Sequence, residues 1–259
     1  MVPALPWAQL VAPLDIDGPR VRLGVAWAAI SFVAVAAGSV PTAIVFSGVA
    51  LGAAGQSCRS WRRRRHRPHR PVAVGGAVAM ALAGAIAPWA VVAAAALTTA
   101  AAAGLRWAPA RLRGPHDPHP RTTAAIALLI GAGAAAPAVV RDHLGVMPAL
   151  VLITMVHCFD ASTFIVGSEA RSPWGGWAAG TASAAAVALA VAAILVPPFR
   201  GPSPWLLALV VAVLVPVGGM AGSAVLGRRD ARAPALRRID SLLLAGPVWA
   251  LVASLVLDL

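Results

Sequence analysis

The stretch "VMPALVLITMVHCFDASTFIVGS", residues 146–168, decides the fold class of this protein. It is long enough to cross a bilayer core, which takes about 20 predominantly apolar residues. Similar apolar runs recur on both sides of it, and the whole chain is 59% hydrophobic and only 12% charged. We therefore predict an all-α, polytopic membrane helix bundle.

Breaks rich in arginine, proline and glycine separate the apolar runs and give about nine predicted transmembrane helices. Pro41 and Pro88 divide two long apolar blocks into short halves, so the predicted range is seven to nine helices. The predicted spans are residues 21–40, 41–56, 72–87, 88–105, 122–140, 146–168, 176–197, 203–227 and 239–258.

The domain organisation is simple. Residues 1–20 lack a basic segment ahead of their apolar residues and contain prolines, so we interpret them as a lead-in rather than a secretory signal. Residues 21–259 form a single predicted membrane-embedded domain.

The arginines predict the orientation. All 21 basic residues are arginines, and only Arg141 and Arg200 lie outside the N-terminal segment and the breaks after the even-numbered spans. By the positive-inside rule the N-terminus is cytoplasmic, the C-terminus lies outside, and the protein belongs to the cytoplasmic membrane. The cytoplasmic loops are then residues 57–71, 106–121, 169–175 and 228–238.

The net charge of +12 does not indicate nucleic-acid binding. The run "CRSWRRRRHRPHRP" (58–71) lies between two spans, where we expect it to anchor the topology and contact anionic lipid, with contact to an anionic substrate as the alternative. "PHDPHP" (115–120) lacks a further ligand set and is interpreted as a solvated loop rather than a metal site. Cys58 and Cys158 fall in a loop and a span, so a disulfide between them is not expected.

Asp160 is the unusual carboxylate, because it lies inside a predicted span. Such a residue faces the bundle interior or a watery cavity, and marks a functional site by default. His157 precedes it by three positions and could hydrogen-bond to it, either as a polar pair that joins helices or as part of a cavity. Asp240, in the first turn of the last predicted span, lies at the same depth, where the helix dipole alone could favour it.

Four segments in the last 100 residues resemble the CDP-diacylglycerol synthases, also called phosphatidate cytidylyltransferases. "DASTFIVG" (160–167) resembles their D-x-x-A-Y-x-x-G, and "SPWGGWAAG" (172–180) their S-P-x-K-T-W-E-G. "GGMAGSAVLGRR" (218–229) is similar to G-D-L-x-x-S-x-x-K-R, and "RRIDSLLLAGP" (237–247) to the closing D-R-x-D-S-L-x-x-x-P. The four segments also occur in the family's order.

The resemblance implies a reaction in which phosphatidate attacks the α-phosphorus of CTP, giving CDP-diacylglycerol and pyrophosphate at a cytoplasm-facing cavity. It implies Mg²⁺, with Asp160 and Asp240 as catalytic and metal-binding residues. The substrate-binding residues that it implies are Ser172, Ser223, Arg228, Arg229, Arg238 and Ser241.

Several family residues are replaced in this chain. Arg237 and Gly219 occupy the positions of two metal-side aspartates, so a single ion is easier to build than a pair. The lysine and glutamate of the second segment are Gly175 and Ala178. The arginines around residues 228–238 still favour phosphates by charge and by bidentate hydrogen bonds.

These departures leave three functions open. The nominal one is phosphatidate cytidylyltransferase activity, with CTP and phosphatidate as partners. The alternative is a catalytically impaired homologue that binds anionic lipid or nucleotide, or scaffolds a partner, as a monomer or a homodimer. The third, a small-solute transporter using His157 and Asp160, lacks the inverted repeat typical of that class.

Overall fold

The computed structural model describes residues 19–61, 67–105, 107, 119–169, 173–227 and 231–257. In these ranges the chain forms nine α-helices and a 3₁₀ turn, Leu236–Arg238. The α-helices are α1 Pro19–Ala37, α2 Ser39–Ser60, α3 Arg70–Ala83, α4 Pro88–Gly104, α5 Pro120–His143, α6 Val146–Glu169, α7 Pro173–Ile194, α8 Ser203–Ala224 and α9 Leu242–Val256.

The predicted class, a polytopic helical membrane bundle, is confirmed. Six of the described helices, α2 and α5 to α9, are long and apolar enough to cross a membrane when the turn before α9 is counted with it. The apolar helices α1, α3 and α4 are shorter. The predicted lead-in, residues 1–20, lies almost entirely outside the described residues.

The two prolines mark real boundaries. α4 begins at Pro88, where a missing N–H costs nothing. Before Pro41 the chain turns at Gly38, whose φ of +132° is a conformation that side chains disfavour. Thr42 reinforces this turn, because its hydroxyl donates to the carbonyl oxygens of Ala34 and Gly38 at 3.1 and 2.7 Å. α1 and α2 therefore form a hairpin, with Trp27 edge-on to Phe46.

α5 is the most enclosed helix of the bundle and packs against α2, α3 and α9. Glycines permit the close approach: a Cβ on Gly131 would lie 2.8 Å from Met80 Sδ, and one on Gly133 would lie 2.8 Å from Leu243 Cα. Small residues at such crossings are typical of helices that associate within a bilayer. The position of α9, and of the turn before it, follows from this contact.

The C-terminal end of α2 holds the segment between α8 and α9. Trp61 Nε1 donates to the Val225 carbonyl oxygen at 3.0 Å, and Ser60 Oγ accepts from the Gly227 amide at 2.8 Å. Farther along, Gln56 Oε1 accepts from the amide of Ala235 at 2.9 Å. These bonds attach the arginine-rich segment to one end of the bundle.

The "PHDPHP" segment contributes a helix cap. His119 lies at the N-cap of α5, where its Nδ1 accepts from the amide of Thr122 at 3.2 Å. His116 and Asp117 lie outside the described residues.

Candidate functional site

The site begins with a hydrogen bond between α6 and the start of α9. Ser241 Oγ donates to Asp160 Oδ1 at 2.6 Å, although the two residues are 81 positions apart. Asp160 is half-buried, so the bond satisfies a carboxylate that the span would otherwise leave poorly solvated.

Ser241 also joins the second carboxylate. Its backbone amide donates to Asp240 Oδ1 at 3.1 Å. A residue that contacts both carboxylates keeps them within about 9 Å of each other, given ordinary bond lengths. The structure thus brings together the two aspartates that the sequence indicated, with Ser241 between them.

The sequence predicted Asp240 in the first turn of the last helix. It lies instead in the turn before α9. The reason is its close packing against α8. A Cβ on Gly218 would lie 2.5 Å from the Asp240 carbonyl oxygen, and one on Gly222 would lie 3.2 Å from Asp240 Cβ. Two glycines one helical turn apart therefore form the surface on which this turn rests.

Arg237, which the sequence marks as a departure from the resembled family's motif and as one of several arginines that favour phosphates, contacts Asp240 directly. Its Nη1 donates to Asp240 Oδ2 at 3.1 Å, and its Nη2 to Ser223 Oγ on α8 at 3.3 Å. The Asp240 side chain is 14% exposed and that of Arg237 is 43% exposed. The i,i+3 spacing of an arginine and an aspartate was the signal that could have identified the pair.

Arg238 extends to a different side of the same cluster. Its Nη1 lies 3.5 Å from the place of a Cβ at Gly24 on α1. It also lies within electrostatic range of His157 and Asp160. The two adjacent arginines therefore lie in different places. Arg237 contacts Asp240 and Ser223, whereas Arg238 lies between α1 and α6.

His157 does not make the hydrogen bond to Asp160 that its spacing allowed. Its Nε2 is buried without a hydrogen-bond partner among the described residues, and its ring lies 6.1 Å from that of Phe32, centroid to centroid. The Asp160 carboxylate accepts from Ser241 instead. His157 thus lines the Arg238 side of the cluster as an unsatisfied polar group.

Three predicted substrate-binding residues, Ser172, Arg228 and Arg229, lie outside the described residues. Of the others, Ser223 and Ser241 are joined by hydrogen bonds to Arg237 and Asp160, and Arg238 lies within electrostatic range of Asp160. We call the set Ser223, Arg237, Arg238, Asp160, Asp240 and Ser241 the polar cluster.

The oxygen ligands that the polar cluster offers do not fit a Mg²⁺ ion. In the described ranges no group of three or more His, Cys, Asp or Glu side chains is placed to hold a metal. Asp240 Oδ2 is bound by the Arg237 guanidinium, and Asp160 Oδ1 by the Ser241 hydroxyl. A divalent cation needs oxygen ligands free of a competing positive charge, so Arg237 disfavours it here.

Comparisons with known proteins identify no relative. No family model matches this sequence, and no curated protein or solved structure matches it either.

Proposed function

We propose that the polar cluster is a phosphate-binding site in a phosphatidate cytidylyltransferase-like membrane protein. The ligands in this proposal are CTP and phosphatidate or another anionic lipid. The proposal combines the resemblance of the four C-terminal segments with the chemistry of the cluster, where the guanidiniums of Arg237 and Arg238 can donate to phosphate oxygens.

The observation that carries the proposal is the continuous hydrogen-bonded connection across three elements. Asp160 on α6 bonds to Ser241, whose amide bonds to Asp240, which in turn pairs with Arg237. Arg237 then reaches Ser223 on α8. The residues come from three of the four family-like segments, and nothing in their local sequence requires them to meet.

The geometry favours binding over turnover. Nucleotidyl transfer from CTP needs the charge of the phosphates to be offset in the transition state, which magnesium does in the family that the chain resembles. The guanidinium paired with Asp240 opposes such an ion. We therefore propose a catalytically impaired homologue that binds the phosphate group of an anionic lipid or nucleotide.

Active phosphatidate cytidylyltransferase is the second candidate. The observation in its favour is that Ser241 keeps the two carboxylates close together. Both carboxylates would then act at one phosphate site, as the reaction of the resembled family requires. In this form the products are CDP-diacylglycerol and pyrophosphate.

One experiment separates the two candidates. Purified protein is incubated with labelled CTP, phosphatidate and Mg²⁺, and lipid-soluble label is measured together with equilibrium binding of each ligand. We expect binding without appreciable liponucleotide. Product formation that Asp240→Asn abolishes would establish the enzyme, whereas absence of both product and binding would refute the proposed function.

A matched pair of variants tests the site itself. Arg238→Gln should weaken binding of phosphatidate or CTP by about tenfold, the equivalent of one charge-assisted hydrogen bond. Arg59→Gln removes an exposed arginine from the last turn of α2 and should leave binding nearly unchanged. Equal losses in both variants would indicate that general positive charge, and not the cluster, attracts the ligand.

We also propose that the protein lies in the cytoplasmic membrane with the polar cluster facing the cytoplasm. Nineteen of the 21 arginines lie on the side predicted to be cytoplasmic. The hydrogen bond that Trp61 donates and the one that Ser60 accepts attach the segment between α8 and α9 to that same side.

A further inference from the structure

We infer that the guanidinium of Arg237 occupies the role of a divalent cation, so that the polar cluster binds a phosphate group without bound metal. This inference rests on the proposed function and specifies how its ligand is held. Phosphate is the shared chemistry of a nucleotide such as CTP and a lipid such as phosphatidate, and the experiment distinguishes these two sources.

The first step is the position of the guanidinium. Arg237 stands where the resembled family has a carboxylate, and it binds a carboxylate and a hydroxyl that would otherwise be free to act as oxygen ligands. These contacts are 3.1 Å to Asp240 Oδ2 and 3.3 Å to Ser223 Oγ. A permanent cation is thus held by two oxygen groups from different elements, which is also what a metal site does.

The second step is the number of donors that remain. A guanidinium has five N–H groups, of which the Asp240 and Ser223 contacts use two. Arg237 is 43% exposed, so its other N–H groups are accessible to an anion. The guanidinium of Arg238 forms no hydrogen bond with the residues that the structure describes, and it lies in electrostatic range of the Asp160 carboxylate. The Arg237 guanidinium can therefore bind a phosphate oxygen while it keeps its contacts with Asp240 and Ser223.

The third step is the space beside Ser223. A Cβ at Gly219, one helical turn before it, would meet no atom of the described residues within 4 Å. This is the position at which the resembled family has an aspartate. The described residues therefore leave room for the first side-chain carbon of an aspartate at this position.

The test compares ligand binding with and without metal. Wild-type protein in detergent micelles is measured with labelled CTP in one arm and labelled phosphatidate in the other, each in EDTA and in Mg²⁺, with phosphatidylcholine as the lipid control. We expect affinities within about twofold in EDTA and Mg²⁺, because Arg237 supplies the charge. Binding that appears only with Mg²⁺ would overturn the inference and leave the proposed function standing.

A variant should convert the cluster to a metal site. Arg237→Asp combined with Gly219→Asp replaces the cation with two carboxylates near Asp240. We expect it to lose about tenfold in phosphate binding in EDTA, to recover it with Mg²⁺, and to bind Mn²⁺ as detected by electron paramagnetic resonance. Wild type should bind no Mn²⁺ at this site.

Three further outcomes are decisive. Arg237→Gln keeps the size and polarity of the side chain, and it should weaken phosphate binding equally in EDTA and in Mg²⁺, whether or not the double variant folds. Mn²⁺ binding by wild type that Asp240→Asn removes would refute the inference. If neither ligand binds wild type under any condition, the proposed function fails and the inference fails with it.

Discussion

The hydroxyl of Ser241 lies 2.6 Å from Asp160 Oδ1, while the amide of the same residue lies 3.1 Å from Asp240 Oδ1. One small residue therefore holds a carboxylate of α6 and a carboxylate of the turn before α9.

Ser241→Ala should destabilise the protein by about 1–3 kcal/mol, because it leaves a half-buried carboxylate without its donor. Reversible unfolding in mixed micelles with increasing SDS measures this change. Ser254→Ala is the control, since that exposed serine of α9 bonds only to the carbonyl oxygen of Leu251 in its own helix. Equal effects of the two substitutions would show that the contact with Asp160 contributes nothing.

Gly218 and Gly219 should respond differently to alanine. A Cβ at Gly218 would lie 2.5 Å from the Asp240 carbonyl oxygen, whereas one at Gly219 would have no atom of the described part of the chain within 4 Å. Gly218→Ala should therefore cost about 1–3 kcal/mol through overpacking and displace the turn that carries Asp240.

Gly219→Ala should be neutral or stabilising by up to about 1 kcal/mol, because alanine favours the helix. Thermal unfolding midpoints of the two purified variants provide the comparison. A larger loss at Gly219 than at Gly218 would contradict the packing of Asp240 against α8.

Arg237 and Asp240 should show energetic coupling. The pair is partly exposed, so we expect Arg237→Gln and Asp240→Asn together to cost about 0.5–1 kcal/mol less than the sum of the single substitutions. A double-mutant cycle of unfolding free energies measures the difference. Additive effects would mean that the ion pair does not contribute to stability.

The orientation can be tested with single cysteines in a background where Cys58 and Cys158 are replaced by serine or alanine. Pro234 and Asp142 are exposed and lie in the two segments that the arginines assign to opposite sides of the membrane. Pro234→Cys should react with an impermeant maleimide only from the cytoplasmic side, and Asp142→Cys only from the other. Reaction of both from the same side would overturn the proposed topology.

The sequence by itself determined the class of the protein and the approximate positions of its helices. Membrane spans can be predicted because length and hydrophobicity are local properties of a segment, and a bilayer requires backbone groups to be bonded within each helix. Pro41 and Pro88 likewise mark boundaries through local backbone chemistry. For the same reason Asp160 could be identified as unusual from its place in an apolar run.

Only the tertiary structure decided which polar groups meet. His157 was the nearest candidate partner of Asp160 along its helix, yet the carboxylate bonds to Ser241, because α5 and α8 position the start of α9 beside α6. The sequence likewise could not predict that Arg237 and Arg238 contact different parts of the cluster. Those contacts depend on the glycines of α8 that let the turn before α9 pack closely. Contacts between residues 81 positions apart follow from how helices pack, and no local pattern specifies that packing.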